Sequence, residues 1–211
     1  MNTPVFWAKE RVFPAPVLKP GEFAIGIVPS TNIGVTANID DLVQFHTAVL
    51  GVTGTGKTEL ALDIVREAIK NDIKVFCVDF TGEYRARLAN LNPIFPAPTQ
   101  QQTDDLEQKL FAVGTTPFGA PAEKAALKAS LVQMKGSVDQ QITGFLVGND
   151  PLAILELTEI SNSKATLRIT ELYLSTIMTW APGQPPGAQD SHRPGRSSHD
   201  HPGDLQLGLR Q

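Results

Sequence analysis

The chain has 211 residues, with 18 lysines and arginines against 22 aspartates and glutamates, a formal net charge of −4 and 41% apolar residues. That length can bury one sizeable core and a small second module, while the acidic balance removes any general electrostatic reason to bind nucleic acid and leaves only a local basic lining to supply one. The single cysteine, Cys77, excludes an internal disulfide, and the absence of a membrane-length apolar run or a secretory N-terminal pattern points to a cytoplasmic protein without a membrane partner.

Residues 1–22 carry Pro4, Pro14, Pro16 and Pro20 and are predicted to be an extended lead-in. "EFAIGIV" and "NIGVTANI", on either side of the turn-forming "PSTN", predict a short β-hairpin, so residues 1–45 form a first region. From Thr47 the pattern becomes a short apolar strand, a glycine loop, a helix and a second apolar strand, "IKVFCVDF". In the helix Ala61, Ile64, Val65, Ala68 and Ile69 recur at helical spacing, opposite Asp63, Arg66, Glu67 and Lys70. A strand–helix–strand unit this short predicts the right-handed crossover of a parallel sheet.

Residues 104–147 are predicted mainly helical, interrupted from Gly114 to Pro121, and "PLAILELTEI" predicts another strand. "SKATLRITELYLSTIMTWA" predicts an amphipathic helix that buries Leu167, Leu172, Leu174, Ile177 and Met178. After Trp180 the composition turns to Pro, Gly, Ser, His and Asp, too poor in apolar surface to offset ordering entropy. Residues 181–211 are therefore expected to be disordered, with His192, His199 and His201 incidental rather than metal ligands and His46 a boundary residue. The expected fold class is α/β: a mostly parallel sheet flanked by helices over residues 46–180.

"GVTGTGKT" fits G-x-x-x-x-G-K-[ST] at Gly51, Gly56, Lys57 and Thr58. Glycines let backbone amides turn inward around phosphate oxygens, and the following helix aims its N–H groups and positive dipole end at the same anion. The Lys57 ammonium reaches the β- and γ-phosphates, and the Thr58 hydroxyl is placed to ligate Mg²⁺. The nucleotide-binding stretch is thus Gly51, Val52, Thr53, Gly54, Thr55, Gly56, Lys57, Thr58 and Glu59, in the strand-to-helix setting of a P-loop NTPase. Asp79 ends the second strand, where ligands of open α/β sheets collect, and is a candidate for Mg²⁺ or its water shell. Glu83, past the Gly82 turn, is a candidate for orienting an attacking water.

"DFTG" also satisfies the D-x-x-G switch motif of small GTPases, so a GTP-binding switch is the alternative reading. Against it, one helix and one strand replace that family's switch segment, and N-K-x-D is absent. The pairing of "HTAVLGVTGTGKT" with the D-x-x-G-E-Y motif of "DFTGEY" instead resembles the HerA-like family of hexameric DNA-translocating ATPases, relatives of FtsK motors. The resemblance runs from about Gly26 to Trp180, with "ISNSKATLRITELYLSTIMTWA" similar to the helix before the family's Walker B strand. It implies a RecA/FtsK-like fold, ATP and Mg²⁺ held by Lys57 and Thr58, Asp79 in the acidic cluster near the phosphates, a homo-hexameric ring, double-stranded DNA as substrate and a nuclease partner. Residues 1–45 would then be a remnant of an N-terminal barrel region.

Three departures stand out: the barrel region is short, no arginine is assignable as a finger, and a Walker B strand ending Glu-Glu-Ala-His is missing where it is due. "LAILE", ending at Glu156, precedes the wrong helix and reads as a core strand. The codons permitted for Pro194 to Gln211, read one base later, can spell Leu-Glu-Glu-Ala-His-Thr-Thr-Ile-Pro-Glu-Thr-Phe-Asn-Trp-Ala-Phe-Asp. "DSHR" just upstream can likewise become Ile-Leu-Ile-Val. These coincidences predict a frameshift before Walker B, a partial ATPase domain and an out-of-frame tail. A chain without that glutamate is expected to bind ATP weakly at best, to hydrolyse it poorly and not to translocate DNA. A third reading is a non-catalytic subunit that regulates a hexameric ring.

Overall fold

The computed structural model describes residues 17–116 and 121–180. The proline-rich lead-in before residue 17 and the tail beyond residue 180, with the disorder and frameshift readings made on it, lie outside the described residues. The chain divides into two compact units, passing from one to the other between Ile73 and Lys74.

The first unit opens with the expected hairpin. Strand β1 (Glu22–Ile27) pairs antiparallel with β2 (Gly34–Asn38). Its turn closes through the Ile33 carbonyl, which accepts from the Val28 amide at 2.9 Å, while the Thr31 hydroxyl donates to the Val28 carbonyl at 2.8 Å. The register slips between Ala24 and Gly26, so Ile25 is an extra residue on β1. Helix α1 (Ile39–Gln44) starts directly after β2, its first turn capped by Asn38 Oδ1, which accepts from the Asp40 amide at 2.9 Å.

Helix α2 (Lys57–Lys70) carries the charged face expected of it, with Arg66 bonded to Asp63 and Lys70 to Glu67. Leu62 and Ala68 are its buried residues, while Ala61, Ile64, Val65 and Ile69 are half-buried. The apolar strand expected from Thr47 is not formed. Residues 46–50 are irregular, and Leu50 is 89% exposed. A strand persists only where its backbone groups find a ladder, and none of the described residues pairs with this segment. The crossover expected around α2 is therefore not formed either.

In the second unit β3 (Val75–Asp79) and β4 (Leu152–Glu156) run parallel, with Val75 opposite Leu152 and Asp79 opposite Glu156. Ile94 bridges the other edge of β4 at Ala153. Among the described residues the mostly parallel sheet thus amounts to two short strands and this bridge. Leu152, Ala153, Ile154 and Leu155 are all buried, the continuous apolar run of a parallel strand covered on both faces. The long connection from β3 to β4 holds α3 (Tyr84–Arg87), a 3-10 turn at Ala89–Leu91, α4 (Gln100–Thr115) and α5 (Pro121–Val147). Helix α4 ends at Thr115 and α5 is described from Pro121, on either side of residues 117–120, so most of the interruption expected from Gly114 to Pro121 lies outside the described residues.

Helix α6 (Ser163–Thr179) follows β4 as expected, capped by Asn162 Oδ1, which accepts from the Lys164 amide at 3.0 Å. Its buried face meets the predicted one only at Leu172 and Ile177, which pack against the core. Ala165, Ile169, Tyr173 and Thr176 are buried, Leu172 and Ile177 half-buried, and Leu167, Leu174 and Met178 exposed. Tyr173 decides the rotation: its ring stacks on Phe76 at 6.0 Å and its hydroxyl donates to Gln141 Oε1 at 2.8 Å, so a large aromatic area is buried with its polar tip satisfied. Met134, Val138 and Ile142 of α5 and Leu106 of α4 complete this core. Lys74 ties the start of β3 to the end of α5 by donating to the carbonyls of Phe145, Gly148 and Asp150 at 3.0, 2.6 and 3.0 Å, a cation at a helix C-terminus.

Candidate functional site

The phosphate-loop residues lie in the first unit. Gly54 and Gly56 both adopt φ of 84°, the left-handed region open to glycine. Gly56 stands at the head of α2, and the first intrahelical acceptance is at its carbonyl, from Leu60 at 3.0 Å. The amides of Lys57 and Thr58 belong to the first turn, which an α-helix leaves without intrahelical acceptors. The Lys57 side chain arches back so that Nζ donates to the Val52 carbonyl at 2.7 Å, and the Thr55 hydroxyl donates to the same oxygen at 2.8 Å. A Cβ on Gly51 would stand 2.6 Å from that hydroxyl, so any larger residue there would have to turn the Thr55 side chain away. Thr53, Thr58 and Glu59 are exposed.

A cavity of about 430 Å³ opens beside this loop. Gly51, Thr55, Gly56 and Lys57 line its phosphate-loop side, and Glu59, Leu60 and Asp63 continue it along α2. Val49, Leu50 and Ile25 complete its lining. Ile25, the bulged residue of β1, was not among the residues singled out from the sequence. The bulge that turns it toward the loop leaves no trace in the alternation of the hairpin.

Asp79 and Glu83 lie in the second unit. Asp79 is buried, and its carboxylate organises the turn that follows. Oδ1 accepts from the Thr81 amide at 2.8 Å, the Thr81 hydroxyl at 2.7 Å and the Gly82 amide at 3.1 Å, while Oδ2 accepts from the Tyr84 amide at 2.9 Å. Burial pushes the carboxyl pKa up, but the hydrogen bonds from Tyr84, Thr81 and Gly82 together outweigh it and hold the group below its ordinary 3.8. Gly82 takes φ of 76°, and a Cβ there would meet Thr158 Cγ2 at 3.3 Å. An aspartate two residues before a turn threonine and three before a glycine is the sequence signal of such an Asx-type turn.

Glu83 is exposed, with Arg87 at 3.8 Å. Glu156, opposite Asp79 in the ladder, accepts from Arg85 at 2.9 Å (Nε to Oε2), and the Arg85 guanidinium lies 3.6 Å from the Phe95 ring centroid. Cys77 is buried one strand turn before Asp79, and burial with the Asp79 charge pushes its thiol up to about 11, as suits a core residue.

No group of three or more His, Cys, Asp or Glu among the described residues could form a metal cage. Mg²⁺ suits such a chain, because it takes few protein ligands and completes its shell with phosphate and water. Within the first unit Thr58 offers an exposed hydroxyl that fits that ion; within the second, Asp79 Oδ2 accepts a single hydrogen bond, from the Tyr84 amide. Among the described residues no helix is long and apolar enough to cross a membrane.

A family model described as "Helicase HerA, central domain" matches residues 23–135, from β1 through the phosphate loop and the Asp79 turn into α5. No curated protein and no solved structure matches the chain.

Proposed function

The chain belongs to the HerA central-domain family of P-loop ATPases, and from that premise we propose that its Gly51–Glu59 loop binds Mg·ATP within the motor domain of a DNA translocase or helicase. The observation that carries the reading is the loop itself: two left-handed glycines ahead of a 14-residue helix, with the Lys57 ammonium folded over the backbone. Nucleotide entry exchanges the neutral Val52 carbonyl for phosphate oxygens as the acceptor of that ammonium. The exchange is favourable because a hydrogen bond between two charged groups is about twice as strong as one to a neutral acceptor.

In this proposal the amides of the loop and of Lys57 and Thr58 surround the phosphates, and the Thr58 hydroxyl holds Mg²⁺. The metal, when bound, neutralises charge that builds on the phosphate oxygens. From their place in the D-x-x-G-E-Y motif, Asp79 is proposed as the carboxylate that would serve the water shell of the metal and Glu83 as the one that would orient the attacking water. Double-stranded DNA, a nuclease partner and a homo-hexameric ring are proposed on the family resemblance alone.

Residues 181–211 are proposed to be read out of frame, which the bases of the gene across those codons test directly. An adjacent frame without an apolar strand and acidic pair refutes it. The GTP-switch reading is separated by comparing affinities, since it requires Mg·GTP to bind more tightly than Mg·ATP. The functional test is ATP turnover by the product of the unshifted frame, with and without double-stranded DNA. Turnover raised by DNA and lost in Lys57→Ala supports the motor. Turnover unchanged by Lys57→Ala refutes it.

A further inference from the structure

We propose that Arg85 is a positioning residue: its guanidinium straps helix α3 to the carboxyl end of β4 and thereby fixes the place of Glu83, the residue that precedes the helix. The inference rests on the reading that Glu83 orients the attacking water.

The strap has two anchors, and both stand on hydrogen-bonded backbone. Glu156 ends β4 opposite Asp79, and the Leu157 amide after it donates to the Asp79 carbonyl at 3.0 Å. Phe95 follows Ile94, whose amide donates to the Leu152 carbonyl at 3.0 Å and whose carbonyl accepts from the Ile154 amide at 2.9 Å. Arg85, on the chain leaving β3, contacts both anchors. Its Nε donates to the two Glu156 carboxylate oxygens at 3.3 and 2.9 Å, Nη2 donates to Oε2, and the guanidinium lies 3.6 Å from the centre of the Phe95 ring. Pairing with a carboxylate and stacking on a ring each fix the plane of a guanidinium, which neither would do for a lysine ammonium.

Core packing does not place helix α3, because none of its four residues is buried. The Asp79 carboxylate holds its start at the Tyr84 amide, and the buried Leu88 follows its last residue. Between those two points Arg85 supplies a side-chain tie to the sheet. The Arg85 side chain is 54% exposed, and an ion pair so open to solvent contributes little to stability. What the arrangement supplies is geometry. A misplacement of about 1 Å in a catalytic constellation can cost about 100-fold in rate, so a strap that adds little to folding can still decide turnover.

The test measures kcat and KM for ATP hydrolysis by the full chain, with amide hydrogen exchange alongside. The variants are Arg85→Gln, Glu156→Gln, Glu83→Gln and the double variant of Arg85→Gln with Glu83→Gln. Arg85→Gln and Glu156→Gln, which cut the strap from opposite ends, are each expected to lower kcat by about 10- to 100-fold and to leave KM within about twofold. Both are expected to speed exchange at the Tyr84 and Leu88 amides and not in β4. Glu83→Gln lowers kcat by about 100-fold or more. Adding Arg85→Gln to it lowers kcat no further, because a residue that acts only through Glu83 then has nothing left to position.

A double variant whose loss is the product of the two single losses overturns the positioning role. So does an Arg85→Gln chain that keeps the kcat or the amide exchange of the parent. Either result leaves the reading of Glu83 intact as long as Glu83→Gln is slow. Turnover in Glu83→Gln equal to the parent's, or a parent that releases no more phosphate than Lys57→Ala, overturns the reading of Glu83 and the inference with it.

Discussion

The phosphate loop and the Asp79 turn are both tight bends built on left-handed glycines, yet the two are stabilised by different kinds of contact. The turn after Asp79 is closed by a buried carboxylate that accepts four hydrogen bonds from Thr81, Gly82 and Tyr84. The phosphate loop is exposed, and it is held by the Lys57 and Thr55 side chains meeting on one carbonyl, that of Val52. A buried carboxylate that loses its donors bears the full cost of desolvation, whereas a solvated carbonyl that loses a donor takes up water instead. The first arrangement is made to stay and the second to exchange. Substitutions in the Asp79 turn should therefore be read out in stability, and substitutions in the phosphate loop in ligand affinity.

The largest stability effect is expected at Asp79. Asp79→Asn turns an acceptor-only group into one that presents an amide to the Tyr84 or Thr81 donors, at a cost of about 1–3 kcal/mol, measured by urea unfolding. Because the folded pKa lies below the ordinary value, the contribution of the carboxylate is fully present above about 3.8 and is lost as pH falls through the lower folded value. The stability gap between parent and variant should accordingly narrow as pH is lowered below about 4. A gap independent of pH down to the acid transition would break the comparison at its stronger side.

Gly82→Ala comes next. It places a side chain at φ of 76° and against Thr158, and the left-handed conformation alone costs about 1–2 kcal/mol. Thermal unfolding should show that loss. On the other side of the comparison, Gly51→Ala drives a methyl group into the Thr55 hydroxyl. That displaces one hydrogen bond of about 1 kcal/mol, so Mg·ATP affinity should fall several-fold while the unfolding midpoint stays put. A falling midpoint with unchanged affinity would show that the loop is structural. The smallest effect concerns Cys77: burial and a pKa near 11 should keep it unlabelled by iodoacetamide at pH 8 until the chain is unfolded. Rapid labelling of the native chain would show that the β3 core opens.

The parts of this account that the sequence made legible are those with local causes. The G-x-x-x-x-G-K-[ST] spacing encodes a backbone path, and Gly54 and Gly56 within it adopt left-handed conformations. The hairpin, β3, β4 and α6 follow from alternation, apolar runs and an asparagine cap. What escaped was decided at a distance. Residues 46–50 have strand composition, but a strand needs a ladder from elsewhere in the chain, and sequence pattern does not supply one. Helix α6 has two apolar stripes, and the choice between Leu167 with Leu174 and Ile169 with Tyr173 belongs to Phe76 and Gln141, which are remote in sequence. The bulge that turns Ile25 toward the cavity is a register event between two strands. It is invisible in either strand read alone.

The central claim is that the Lys57 ammonium trades the Val52 carbonyl for phosphate oxygens, and calorimetric titration of the chain and its Lys57→Ala variant with Mg·ATP tests it most directly. The account predicts saturable binding by the parent and an affinity about 10- to 100-fold lower in the variant, the effect of losing one charged hydrogen bond of about 1.5–3 kcal/mol. Equal affinity in the two chains would contradict it.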